Sequence, residues 1–166
     1  MKLTEFLSPL TIRYAVEVSS KKRALELVGK IAAEHLNAHF PCENEHEEIC
    51  PVECFSNLFK REKLGSTALN YGVAIPHAKL PQSEIALDKP LAVFLQLAEP
   101  VDYESADHKD VDLIYALLFP EQSCEQYKAC LPEIAQKLSD KGLLKLLRSA
   151  ESVDDIWQIL LSADNR

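Results

Sequence analysis

Two runs of the chain, Leu91-Ala92-Val93-Phe94-Leu95-Gln96-Leu97 and Val111-Asp112-Leu113-Ile114-Tyr115-Ala116-Leu117-Leu118-Phe119, are of strand length and almost unbroken in apolar residues. A strand with one wet face alternates; a run that does not alternate suits a central strand covered on both faces. The rest of the chain must therefore supply a layer on each side of a sheet. From Lys21 to about His35, Ala24, Leu25, Val28, Ile31 and Ala32 recur at helical spacing behind Ser19-Ser20, which offers a cap. Pro51 suits the first position of a second helix, which would carry Val52, Phe55, Leu58 and Phe59 inward and deliver Arg61 at its C-terminal end. Leu131, Ile134, Ala135 and Leu138 repeat the helical spacing, with Pro132 either kinking that helix or marking its start. Gly142 separates it from Leu143 to Leu147, and Ser152-Val153-Asp154-Asp155 is a variant capping box opening a final helix through Ile156, Trp157, Ile159, Leu160 and Leu161. Thr11 to Val18, β-branched and partly alternating, reads as a half-buried strand. The order is that of an α/β chain, helices alternating with strands around one sheet. Residues 1–166 read as a single domain with a polar, acidic excursion around 37–50.

Charge narrows the function classes. A formal net charge of −8 over 166 residues argues against a general nucleic-acid or anionic-membrane binder and favours a partner with a basic docking patch. No stretch approaches 18 consecutive apolar residues, and Met1 to Pro9 lacks a signal-peptide core, so no membrane insertion and a cytoplasmic location are expected. Five cysteines, an odd and sparse set, read as reduced thiols.

Chemistry concentrates in Arg61-Glu62-Lys63-Leu64-Gly65-Ser66-Thr67 and Gly72-Val73-Ala74-Ile75-Pro76-His77. Pro76 biases Ile75 away from the α region, which puts His77 on or just after an extended segment. Arginine offers a planar fork of donors matched to phosphate, and Ser66 and Thr67 add hydroxyls that suit the same anion. A histidine beside an anion cradle points to phosphoryl chemistry. Arg61 also suits a helix C-terminal cation favoured by the dipole, and Ser66 and Thr67 also suit local bonds that shape a turn.

Cys42, His46, Cys50 and Cys54 stand four residues apart and carry ligand types that zinc favours. Pro51 breaks a common helix, and four ligands in one straight row do not surround an ion. No metal is expected there.

Together with Val111-Asp112-Leu113, the Arg61 to Thr67 segment and Gly72-Val73-Ala74-Ile75-Pro76-His77-Ala78-Lys79-Leu80 resemble the fructose/mannitol-type enzyme IIA domains of the bacterial phosphotransferase system. The likeness is strongest to the nitrogen-regulatory branch, including Lys21-Lys22-Arg23-Ala24-Leu25-Glu26, and it spans residues 5 to 162. It implies an α/β fold with a single mixed β-sheet flanked by helices on both faces. It further implies that His77 accepts a phosphoryl group from an HPr- or NPr-like phosphohistidine carrier, with Arg61, Gly65, Ser66 and Thr67 supporting the phosphate and no cofactor. Members of the family commonly carry a second histidine near the start of the helix after the last central strand. Tyr127 stands there, able to donate a hydrogen bond to phosphate but not to carry imidazolium charge. The implied function is a regulatory enzyme IIA whose binding to a target protein follows its phosphorylation state. The alternatives are the IIA component of fructose or mannitol uptake and a binding-only module without phosphotransfer.

Overall fold

The computed structural model describes residues 1–40, 48–81 and 87–166. Five strands form one sheet: β1 (Ile12–Val16), β2 (Val73–Ala74), β3 (His77–Lys79), β4 (Leu91–Val101) and β5 (Val111–Phe119). Their order is β1-β4-β5-β2, with β3 following β2 along the same edge of β5. β4 and β5 run antiparallel, whereas β1 is parallel to β4, and β2 and β3 are parallel to β5. The sheet is mixed, and the two apolar runs are its central strands.

Period-two alternation explains why those runs lack polar residues. Val93, Leu95, Ile114, Ala116 and Leu118 face one layer, built from α1 (Lys21–His39) and α2 (Pro51–Glu62). Ala92, Phe94, Leu113, Tyr115 and Leu117 face the other, where α4 (Leu131–Lys137), α5 (Lys141–Ser149) and α6 (Val153–Asp164) pack; a short α3 (Cys124–Lys128) precedes them. Both faces are covered, each side chain buried in full contributing about 1.5–3 kcal/mol. Gln96, the polar exception in β4, donates to Leu147 O at 2.8 Å and Ala150 O at 3.0 Å and accepts from Ala15 N at 3.0 Å. It thereby satisfies carbonyls at the C-terminal end of α5 that the helix itself leaves open.

The local signals are resolved one by one. Ser20 and Ser152 cap α1 and α6 by accepting from Arg23 N and Asp155 N. Pro132 lies in the first turn of α4, so it starts a helix rather than kinking one. Three expectations are corrected. Helix α1 continues past His35 to His39, and Asn37, exchanging two 2.9 Å hydrogen bonds with Ile49, ties its last turns to the approach to α2. Val52 is 70% exposed; Cys54, Leu58 and Glu62 are the buried line of α2. Gly142 lies inside the first turn of α5, because Asp140 accepts from Gly142 N and Leu143 N and caps the helix before it. Most of the acidic excursion, with Cys42 and His46, lies outside the described residues. Among the described residues no helix is long and apolar enough to cross a membrane, and no three metal-binding side chains gather. Burial pushes the Cys54 thiol up to about 12 and keeps it protonated.

Candidate functional site

The site stands where the end of α2 meets the edge of the sheet. After Glu62 the chain leaves the helix, and Gly65, at φ 150°, lets it turn back where no side chain crowds the turn. Residues 67–69 then run beside β2: Leu69 N donates to Val73 O at 2.7 Å, and Ile75 N donates to Thr67 O at 3.1 Å. This loop covers the outer edge of β2 and fixes α2 relative to β3. Pro76 has no N–H, yet its carbonyl accepts from Leu117 N at 2.9 Å, so β3 resumes pairing with β5 at His77 opposite Leu117.

Half-buried between these elements, the His77 ring has two defined partners. Nδ1 lies 3.0 Å from Ile75 O, a contact that requires the proton on Nδ1. Nε2 is then the lone-pair nitrogen, and it accepts from Arg61 Nε at 3.3 Å. Arg61 is aimed by a second bond from its Nη1 to Gly65 O at 2.9 Å. Burial, foremost, holds the His77 pKa below the ordinary histidine value; the Ile75 carbonyl and Glu62 oppose that shift, and the Arg61 and Lys128 charges reinforce it. The ring is neutral and nucleophilic at neutral pH.

Around it opens a cleft of about 600 Å³ lined by Asn57, Lys60, Arg61, His77, Lys79 and Lys128, with Leu64 at its rim 84% exposed. Four cations converge here although the chain as a whole is acidic. This face fits an anion or an acidic partner surface, the opposite of what net charge alone suggests.

Of the residues singled out in the sequence, His77, Arg61 and the Gly65 carbonyl meet. Ser66, Thr67 and Tyr127 do not bring their hydroxyls to the ring. Ser66 Oγ donates to Tyr103 O at 2.8 Å and accepts from Ala68 N at 3.2 Å, which is the turn-shaping role. Thr67 is buried, its hydroxyl bonded to Glu62. Tyr127 donates to Asp88 O at 2.9 Å and sets its ring edge-on to Phe6.

Sequence reasoning missed the buried network behind the site. Glu62, 6% exposed, pairs with Lys21 at 3.1 Å and accepts Thr67 N at 3.0 Å, while Lys21 lies 4.5 Å from the centre of the Tyr103 ring. A carboxylate removed from water needs this many partners. The network anchors the residue next to Arg61 and the loop that follows it. The available signal was Glu62 itself, a charge four residues after Leu58 on the inward line of α2.

Comparisons with known proteins agree on the kind of molecule. The family model for "Phosphoenolpyruvate-dependent sugar phosphotransferase system, EIIA 2" matches residues 5–163. A nitrogen regulatory protein homolog of Haemophilus influenzae is 48% identical over 164 residues, 99% of this chain and 93% of that one. The crystal structure of nitrogen regulatory protein IIA-Ntr from Neisseria meningitidis is similar at a TM-score of 0.77 and 32% identity, covering 95% of this chain and 98% of that one. The mannitol IIA of Escherichia coli, at 21% identity and a TM-score of 0.68 over 93% of this chain and 98% of that one, shares the fold.

Proposed function

Because the chain belongs to the EIIA 2 family of the phosphoenolpyruvate-dependent sugar phosphotransferase system, we propose that it is a cytoplasmic regulatory IIA whose Nε2 atom of His77 takes a phosphoryl group from an HPr- or NPr-like phosphohistidine carrier. One observation carries the assignment of the nucleophile: the Nδ1 proton is committed to Ile75 O at 3.0 Å, leaving the lone pair on Nε2, which faces Arg61, a residue of the same cationic cleft.

In the transfer, the Nε2 lone pair forms a bond to phosphorus as the donor's P–N bond breaks and that electron pair returns to the donor imidazole. The reaction is in line and loose, so the acceptor's task is to position groups and to stabilise the equatorial oxygens. Arg61 turns its Nε–H from Nε2 to a phosphoryl oxygen, its guanidinium still oriented through Gly65 O. The His77 ring gains positive charge, which the Ile75 carbonyl and Glu62 stabilise. The phosphoryl group brings about −1.5 to −2 charges to a basic face, offset in part by the positive ring, and the remaining negative charge with its new acceptor oxygens can switch partner binding. The resemblance to nitrogen regulatory proteins supports regulation over sugar uptake.

Incubation with a phosphorylated HPr-type carrier is expected to put acid-labile phosphate on His77, and His77→Ala to abolish it. A wild type left unlabelled by a carrier that phosphorylates another IIA supports the binding-only alternative. Onward transfer to a sugar through a permease would identify the uptake role instead.

A further inference from the structure

We propose that Lys128 is the second cation of the phosphoryl site, held by Glu125 in the unphosphorylated protein and transferred to the phosphoryl oxygens once Nε2 of His77 carries the group. The proposal rests on His77 being the acceptor. Its starting point is a charge mismatch. The phosphoryl group itself carries close to two negative charges on three oxygens; the positive charge of the ring is turned toward Ile75 O, so at the oxygens Arg61 is a single cation, and it already directs Nη1 to Gly65 O. Tyr127 does not make up the difference, since its hydroxyl is committed to Asp88 O and its ring to Phe6.

The neighbouring residue is in position to do so. Beyond Phe119, which pairs with Lys79 of β3, the chain turns back through α3, and Lys128 in the last turn of that helix lines the same cleft as His77 and Arg61. Successive helical side chains diverge by about 100°, which is why Tyr127 packs inward while Lys128 faces the cleft. Arg61 on α2 and Lys128 on α3 thus come to the ring from different elements. Of the cations lining the cleft, these are the two whose charge bears on the protonation of His77. A lysine ammonium on a flexible stem suits a group that must reach its anion only after transfer.

Its resting partner is weak. Lys128 Nζ lies 3.4 Å from Glu125 Oε1, with the two side chains 48% and 87% exposed. A solvated pair of this kind contributes little, so a phosphoryl group with three acceptor oxygens displaces the carboxylate readily.

The test compares label uptake from a phosphorylated HPr-type carrier, and the half-life of the phosphohistidine, across variants. Lys128→Ala is expected to lower the transfer rate or the half-life about tenfold, Lys128→Arg to restore most of it, and Tyr127→Phe to leave both unchanged. Glu125→Gln is expected to match or exceed wild type. A readout independent of phosphorylation accompanies these: in NMR titration of the unphosphorylated protein, Lys128→Gln should raise the pKa of the His77 ring. A wild type that labels on His77, with Lys128→Ala labelling at the same rate and lifetime, overturns the role of Lys128 alone. A wild type that takes no label overturns the acceptor reading, and this proposal with it.

Discussion

At His77, burial and two flanking cations act in one direction on the imidazole, and a carbonyl and a carboxylate act in the other, with burial the largest influence. The net result is a pKa below the ordinary 6.5, from which the pH dependence follows. Phosphoryl acceptance needs the Nε2 lone pair, so the transfer rate should fall with pH as Nε2 gains a proton, with its midpoint below 6.5. Stability has the same sign. Between the folded value and 6.5 the unfolded chain binds more protons, so this contribution is complete above 6.5 and is lost as the pH falls through the folded value. His35, lowered mainly by burial and then by His39 and Arg13, adds in the same window. Ring titration by NMR beside a rate profile checks both; a His77 midpoint above 6.5 would contradict them.

Among the elements, the contact between α1 and α2 decides where Arg61 lands. Gly29 of α1 meets α2 so closely that an added Cβ would lie 2.9 Å from both Phe55 N and Pro51 O. Backbone cannot yield as a side chain does, so Gly29→Ala should push α2 outward, costing about 1–3 kcal/mol by overpacking. Denaturation midpoints would show the loss, and slower phosphoryl uptake at a permissive temperature would show that Arg61 had moved from Nε2. The same pair of helices shows what a sequence reveals. Pro51 and Ser20 marked the helix starts because a missing N–H and a capping hydroxyl act within one turn. The rotation of α2, which exposes Val52 and buries Glu62, is set by Gly29 some 25 positions earlier and by Lys21 beyond it. His77 and Arg61 were legible because stiff or glycine-bearing backbone surrounds them in the chain. The commitments of Thr67 to Glu62 and of Tyr127 to Asp88 were not, since each depends on which face a short segment turns inward.

Across the whole molecule, the first seven residues are a working part of the second layer, although their sequence alone gives no sign of it. Leu3 and Leu7 are 1% and 7% exposed, Phe6 O accepts from Ala92 N at 2.9 Å, and Tyr115 of the central strand donates to Leu3 O at 2.7 Å. The strap is held from the far end of the chain by Asp164 in α6, whose carboxylate accepts from Leu3 N at 2.7 Å, Thr4 N at 3.0 Å and Thr4 Oγ1 at 2.6 Å. Hydrogen bonds to an ionised acceptor are stronger than neutral ones, but these donors are only partly buried and recover some water when released. Asp164→Ala should therefore cost about 1.5–3 kcal/mol, not three times that. For a chain of this size the midpoint of thermal unfolding should fall by roughly 2–4 °C per kcal/mol. The strap packs on the layer of α4 to α6, whereas Arg61 reaches His77 from the layer of α1 and α2. Phosphoryl acceptance by Asp164→Ala, measured well below its unfolding transition, should therefore match wild type. An unchanged midpoint would show that the clasp contributes nothing; a lost midpoint with slowed transfer in folded protein would show that the two layers are coupled through the sheet.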